Sequence, residues 1–130
     1  MCAVRRMVSD AGLKGVSLVR AGFFTGRTKA ERQAALEDNR EAIREAEALG
    51  LGSIVLVCGA TVGQSPSENF VQIRDGIEAI ADEAEEHGVR LLVEPLHPVY
   101  AGDRSAICSM AMANRLCEEI GHANVGIAVD

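Results

Sequence analysis

The stretch VRLLVEPLHPVYAGDRS, residues 89–105, begins as an apolar strand and then places a carboxylate, Glu94, where further apolar residues would be expected. Its large aliphatic residues predict a buried strand over residues 89–96. Pro95 follows the acid and fixes the backbone, and the loop beyond it is polar and rich in turn-forming residues. Glu94 is therefore a candidate site residue, because binding and catalytic residues concentrate on such loops.

Three similar segments predict three further strands: GVSLVR at 15–20, SIVLVCG at 53–59 and NVGIAVD at 124–130. Helical segments separate them. Thr28 with Glu31, and Ser65 with Glu68, form capping boxes that predict two helix starts, and glycines within 47–52 and at position 88 predict the ends of these helices.

Two more helices are predicted, one over 105–120 and a less regular one over the opening segment AVRRMVSDAG at 3–12. The core-facing residues of the helix over 105–120 are expected to be Ile107, Met110, Ala113, Cys117 and Ile120. In the helix after Ser65, the apolar stripe is Phe70, Ile73, Ile77, Ile80 and Ala84.

Strands that are apolar nearly throughout and separated by single helices favour a parallel sheet covered by helices. The chain is therefore predicted to be α/β. Two architectures fit this order: an open doubly wound sheet, or part of a (β/α)8 barrel. A complete barrel takes roughly 250 residues, about twice this chain of 130 residues. The barrel interpretation thus predicts an incomplete barrel.

Composition excludes several function classes. The net charge of −6 opposes nucleic-acid binding, which needs a cationic surface. No segment has the length and apolar character of a membrane span or a signal peptide. The four cysteines have no C-x-x-C spacing and are expected to be small buried residues in a reducing compartment. We therefore expect a cytoplasmic protein with no nucleic-acid or membrane partner.

Two acids are predicted to meet at one edge of the sheet. Glu94 ends one predicted strand and Asp130 ends the next, and the carboxyl ends of parallel strands form the edge where α/β proteins build their sites. Neighbouring strands lie about 4.8 Å apart, so two carboxylates at the same level could share one cation. Asp130 taken alone fits equally well as a helix cap or a hydrogen-bond acceptor for a loop.

The loop after Glu94 carries further candidates. His97 can hold a metal, a proton or a substrate hydroxyl, and Arg104 offers a planar fork for a carboxylate or phosphate. An ion pair of Arg104 with Asp103 or another nearby acid is an equally good interpretation. His87 and His122 lie at the C-terminal ends of predicted helices, where an imidazolium stabilises the helix dipole, and we interpret them as structural.

VEPLHPVYAGDRS, followed after one helix by VGIAVD, resembles the sugar phosphate isomerase/epimerase family, the xylose isomerase-like TIM barrels. The segments EDNREAIREAEALG and SIVLVCG are similar to a crossover helix and the following strand of those barrels. The resemblance implies that residues 1–130 form a single incomplete TIM-barrel domain. The four strands would be the second to the fifth of the barrel.

The resemblance also implies a function: metal-dependent isomerisation or epimerisation of small sugars, sugar phosphates or hydroxy-ketones by proton transfer next to a carbonyl. One divalent ion (Mn, Mg, Co or Zn) would be bound by Glu94 and Asp130. Glu94 would also be the catalytic base, while His97 and Arg104 would bind substrate. The family's remaining ligands, a histidine and a second glutamate, would lie beyond Asp130, so half of the metal site is expected here.

The composition opposes one related enzyme class, and one other interpretation remains open. The related apurinic endonucleases hold three metal ions, but they need more than three histidines and a basic face. A non-catalytic barrel remnant would fold or function only in association with another chain. Any four-stranded part of a barrel leaves two unpaired edges and an apolar inner face, and self-association of the chain through these edges is therefore expected. The predicted inner-face residues are Leu18, Val55, Val57 and Leu92.

Overall fold

The computed structural model describes residues 2–130. Its helices are α1 (Cys2–Asp10), α2 (Lys29–Leu49), α3 (Pro66–Glu86) and α4 (Met110–Ile120). Its strands are β1 (Leu18–Gly22), β2 (Ser53–Val57), β3 (Arg90–Val93) and β4 (Val125–Ile127), and a short 3-10 helix spans Pro98–Tyr100. None of the helices within 2–130 combines the length and the apolar character needed to cross a bilayer.

The four strands form one parallel sheet in the order β1-β2-β3-β4. Each strand therefore lies beside the next one in the chain. A doubly wound sheet would reverse its order at a switch point, and the described strands contain no such reversal. The chain is thus an α/β partial (β/α)8 barrel, which confirms the barrel alternative.

One face of the sheet carries the core. Alternate residues of the strands, such as Ile54 and Leu56 in β2 and Leu91 and Val93 in β3, join a single buried cluster with residues of α2, α3 and α4. Because all three helices contribute to the same cluster, they cover the same face of the sheet. The predicted stripe of α3, from Phe70 to Ala84, is buried in this cluster as expected.

The predicted helix caps are confirmed. Thr28 and Ser65 each accept a hydrogen bond from the backbone amide three residues later, and the glutamate there binds the cap's own backbone amide. Gly50 ends α2 in the left-handed conformation, with φ 74°, which costs glycine little because it has no Cβ.

The predicted start of the third long helix is wrong. The helix α4 begins at Met110, with Ser109 as its N-cap, rather than at Ser105. Ser105 instead pairs with Gly59 in a parallel bridge beyond the end of β2. The backbone at Ser105 is therefore extended and bound to the segment after β2, and a helix starting at Ser105 would break this bridge. Met110 is 44% exposed rather than core-facing.

The first strand is displaced from its predicted segment, and the other three are shorter than predicted. The first strand lies at Leu18–Gly22 instead of 15–20, because its partner β2 begins at Ser53 and Leu18 pairs with Ile54. Leu18 packs against the helix-side core, so its assignment to the inner face is wrong. On the other face Val57 is buried and Val19, in the edge strand β1, is 63% exposed.

Candidate functional site

The candidate site lies at the edge where all four strands end. Because the strands are parallel, the residues after Gly22, Val57, Val93 and Ile127 meet at this edge. The residue that follows β3 is Glu94. Its backbone amide donates to the carbonyl of Leu56 at 3.1 Å, so the ladder with β2 continues one residue beyond the strand.

Glu94 is half-buried, and alternation along the strand puts it on the same face as Leu92, away from the helix-side core. Among the described groups, none lies within hydrogen-bonding distance of its carboxylate. Glu94 also contributes, after burial and Cys117, to raising the pKa of the Cys58 thiol. The Glu94 carboxylate therefore lies at the carboxyl ends of the strands and has no hydrogen-bond partner among the described residues.

Asp130 does not end a strand as predicted, because β4 stops at Ile127. The amide of Ala128 donates to the carbonyl of Val93 at 2.9 Å, and Val93 pairs with Ile127. Ala128 is therefore the residue level with Glu94. In an extended chain, Asp130 would point to the same face as Ala128 but would lie two residues, about 6.6 Å, further along. Its side chain is exposed.

The donors fit part of a metal site. Within residues 2–130, no three His, Cys, Asp or Glu side chains lie close enough together to hold a metal ion. An unpartnered carboxylate such as that of Glu94 is nonetheless a good ligand for a hard divalent cation, which takes oxygen donors. The metal role of Glu94 and Asp130 remains a prediction.

The predicted substrate-binding residues lie on the loop above Glu94. His97 is exposed and caps the 3-10 helix, its Nδ1 accepting from the Val99 amide at 3.2 Å. The guanidinium of Arg104 lies over the Tyr100 ring, 4.8 Å from its centroid. Arg104 thus stacks on an aromatic ring, and none of the described carboxylates, including that of Asp103, forms an ion pair with it.

The same loop is closed at its base. The amide of Leu96 donates to the carbonyl of Ile107 at 3.0 Å. Gly59 donates to the carbonyl of Arg104 and accepts from the amide of Ala106, both at 2.9 Å. Residues 97–106 are therefore held as a compact loop over the ends of β2 and β3.

The other two histidines lie at the opposite edge, between a helix end and the next strand. His87 Nδ1 lies 2.8 Å from Glu47 Oε2, and His122 Nε2 lies 3.1 Å from Asp82 Oδ1. The first contact joins the end of α3 to α2, and the second joins the segment after α4 to α3, both away from the end of the sheet where Glu94 lies. Of the cysteines, Cys58, Cys108 and Cys117 are free thiols, and Cys58 is fully buried.

Sequence reasoning missed Phe23, which follows β1 at the site edge. Its φ of 53° is the one positive value for a non-glycine residue within 2–130, a conformation that is strained for a bulky side chain. The Phe23 side chain is 42% exposed, whereas that of Phe24 is 2% exposed in the core. A Cβ on neighbouring Gly59 would lie only 3.0 Å from the Phe23 Cα, and the φ of Gly59 is 97°, so both the close approach and the backbone favour a glycine. The residue types in this segment gave no signal for the strained backbone.

The family model for the xylose isomerase-like TIM barrel matches residues 1–130. The chain belongs to this family. As a xylose isomerase-like chain, it resembles several solved structures. Protein SMc04130 from Sinorhizobium meliloti 1021 is 39% identical, with a TM-score of 0.89 over 97% of this chain and 46% of that one.

Two more distant structures share the fold. The 3-keto-D-glucoside 4-epimerase YcjR from E. coli is 18% identical, with a TM-score of 0.78 over 95% of this chain and 51% of that one. The IOLI protein, solved with a zinc atom, is 19% identical, with a TM-score of 0.77 over 95% of this chain and 44% of that one. The chain spans about half the length of these proteins. No curated protein matches it.

Proposed function

We propose that this xylose isomerase-like chain supplies part of the active site of a metal-dependent isomerase or epimerase. The substrate class is small sugars, sugar phosphates or hydroxy-ketones. The observation that carries the proposal is the unpartnered, half-buried Glu94 carboxylate at the carboxyl edge of a parallel sheet, where barrel enzymes place their catalytic groups. The epimerase among the solved structures supports the reaction class, and the zinc-bound structure supports the metal.

In this proposal Glu94 removes a proton from the carbon next to the substrate carbonyl. A divalent cation (Mn, Mg, Co or Zn), when bound, would polarise the carbonyl and hydroxyl oxygens and so make that carbon more acidic. Asp130 would be a second oxygen ligand. His97 and Arg104 would hold substrate oxygens from the loop above, His97 through its imidazole and Arg104 through its planar fork.

The ligand count limits what these residues can do alone. A hard divalent ion takes about six donors, and Glu94 and Asp130 supply two of them, so water or other polypeptide would supply the rest. Epimerisation also needs a second acid on the opposite side of the substrate to return the proton. We therefore propose that the chain acts together with further barrel strands, and that it works in the cytoplasm, which its free cysteines favour.

The test uses the chain in two forms, alone and fused to further barrel strands. Isothermal titration with Mn²⁺ should give binding that Glu94→Gln weakens, whereas Glu85→Gln, at an exposed position on α3, should leave it unchanged. Fusion to the C-terminal half of the Sinorhizobium meliloti barrel should create metal-dependent proton exchange next to the carbonyl of a ketose. We expect Glu94→Gln to abolish this exchange and Glu85→Gln to preserve it.

Three outcomes would contradict the proposal. Full exchange by the fused barrel carrying Glu94→Gln would remove the base role. Robust turnover by the unfused chain would show that the second acid is already present. Manganese binding that is equal in the wild type and in Glu94→Gln, together with an inactive fusion, would favour a non-catalytic remnant that functions by association.

A further inference from the structure

The described sheet has two free edges. Its order is β1-β2-β3-β4 and all pairs are parallel, so within residues 2–130 β1 and β4 each have a strand on one side only. In β4 the Asn124 carbonyl and the Ala128 amide bind β3. Because backbone groups alternate in direction along a strand, the amide of Ile127 points to the free side. Such an edge is a template for pairing with another strand.

The face of the sheet opposite α2, α3 and α4 is apolar and open. Val55 and Leu92 are half-buried on this face, and Val19 is 63% exposed. Parallel sheets are normally buried on both faces. In a (β/α)8 barrel the second face is covered because the sheet closes on itself, so this open face calls for further strands of the same kind.

Helix α1 leaves its apolar side chains uncovered. The buried core takes residues from α2, α3 and α4, but none from the part of α1 whose side chains are described, residues 3–10. Val4 is 48% exposed and Met7 is 70% exposed. In a barrel, the helix before a strand covers the junction of that strand with the preceding one. A strand paired with the free side of β1 would therefore lie beneath α1.

A second copy of this chain fits all three features. A TIM barrel closes with eight strands, and the sheet here has four. When β4 of each copy lies beside β1 of the other, the two sheets form one ring of parallel strands, and each α1 covers a new junction. The two contacts are identical and use up both edges, so the assembly closes with two-fold symmetry.

We propose that two copies of residues 1–130 close into one eight-stranded barrel and share a single divalent-cation site at its mouth. The two β3 strands are four strands apart in this ring, so Glu94 lies across the mouth from the partner's Glu94. The interior of an eight-stranded barrel is just wide enough to be filled by side chains, so both carboxylates can reach one ion.

The shared site answers the shortage of ligands in the single chain. With Asp130 of each copy, it offers four carboxylates in place of two, out of the about six donors that a hard cation takes. Water supplies the others. The cation part of this inference rests on the proposed function, whereas the closure of the barrel rests only on the sheet edges, the open face and α1.

Sedimentation of the chain over a range of concentrations tests the closure. A closed ring leaves no free edge, so association should stop at two chains. Open pairing of edges would instead continue to larger assemblies. A monomer at all concentrations, or growth beyond the dimer, would overturn the proposal.

Two variants identify the strands that pair. Val19→Glu places a charge on β1, and Ile127→Pro removes the free amide of β4, a change that edge strands tolerate. Each should weaken dimerisation about tenfold, and an equimolar mixture should recover part of it, because one of its two contacts is unaltered. Recovery also shows that both variants are folded. Wild-type dimerisation of Ile127→Pro would mean that β1 pairs with β1, and would refute the β1–β4 contact.

Titration with Mn²⁺ tests the shared site separately. At concentrations where the dimer forms, we expect one ion per two chains, bound at least about tenfold more weakly by Glu94→Gln. Glu85→Gln, at an exposed position of α3, should leave the binding unchanged. One ion per chain would overturn the sharing. A dimer that binds no manganese would overturn the cation site and count against the proposed function, but not against the closed barrel. Failure to dimerise would overturn the closure and leave the proposed function to the fused barrel.

Discussion

The side chain of Asn39 binds both backbone polar atoms of Gly22. The Gly22 amide donates to Asn39 Oδ1 at 2.8 Å, and Asn39 Nδ2 donates to the Gly22 carbonyl at 2.7 Å. Asn39 lies in the middle of α2 and is buried. This pair fastens the helix to the end of the edge strand β1, directly before the strained Phe23.

Replacing Asn39 should therefore destabilise the fold. Asn39→Leu leaves the buried amide and carbonyl of Gly22 without this partner, and the free energy of unfolding should fall by about 2 kcal/mol. Urea denaturation measures the change. Asn114→Leu, at an exposed asparagine of α4, is the matched control and should stay within about 0.5 kcal/mol of the wild type. Equal stability of the two variants would show that the hydrogen bonds between Asn39 and Gly22 do not stabilise the fold.

At position 23 a glycine variant should be more stable than an alanine variant, the reverse of the order at an ordinary helix position. Phe23→Gly should be more stable than Phe23→Ala by about 1 kcal/mol, because only glycine adopts a positive φ without strain. At Val71, an exposed position of α3, Val71→Gly should be less stable than Val71→Ala by about 0.5–1 kcal/mol. Thermal or urea unfolding of the four variants measures these differences in stability. If alanine were more stable than glycine at both positions, Phe23 would not be strained.

Glu68 should titrate at low pH. The backbone amide of Ser65, 2.7 Å from Glu68 Oε2, and then the Ser65 hydroxyl lower the pKa of the Glu68 carboxyl. Its stabilising effect is present above the carboxyl pKa of the unfolded chain and is lost as the pH falls through the lower folded value. In an NMR titration, Ser65→Ala should raise the pKa of Glu68, while removal of another helix cap by Ser109→Ala should not. Because Ser65→Ala keeps the backbone amide, which is the larger cause, the rise should be partial, and a Glu68 pKa unaffected by the substitution would contradict the contribution of the Ser65 hydroxyl.

The isolated chain of residues 1–130 should self-associate through its sheet edge. Val19 lies in the edge strand β1 and is 63% exposed, and unpaired strands with apolar residues pair with one another. Sedimentation should show association that increases with concentration and that Val19→Glu weakens. Val99→Glu, a matched change at an exposed valine of the 3-10 helix, should not weaken it. A compact monomer at all concentrations would rule this out.

The parts of the fold that sequence predicted correctly are those fixed locally. The capping boxes at Thr28 and Ser65 depend on residues three apart, and the stripe of α3 depends on a helical period, so both could be recognised without the rest of the chain. The start of α4 could not, because Ser105 is committed to a bridge with Gly59, a residue far away in the sequence.

The candidate site also combines a residue that the sequence reveals with features that depend on contacts between distant segments. Glu94 was recognisable because an acid interrupts an apolar strand. The level of Asp130 depends on the hydrogen bond of Ala128 to Val93, which places Ala128 opposite Glu94 and which no residue pattern encodes. The φ of Phe23 and the buried, unpartnered Oε1 of Gln64 likewise arise from contacts between distant segments.

The loop of residues 97–106 is closed at its base by the backbone hydrogen bond between Leu96 and Ile107. That bond and the two bonds to Gly59 all use backbone atoms, so the exposed side chains of residues 97–104 take no part in them. Other side chains can thus occupy these positions while the sheet beneath keeps its register. Under the proposed function, a change of substrate preference would then need new side chains in this loop and no new architecture.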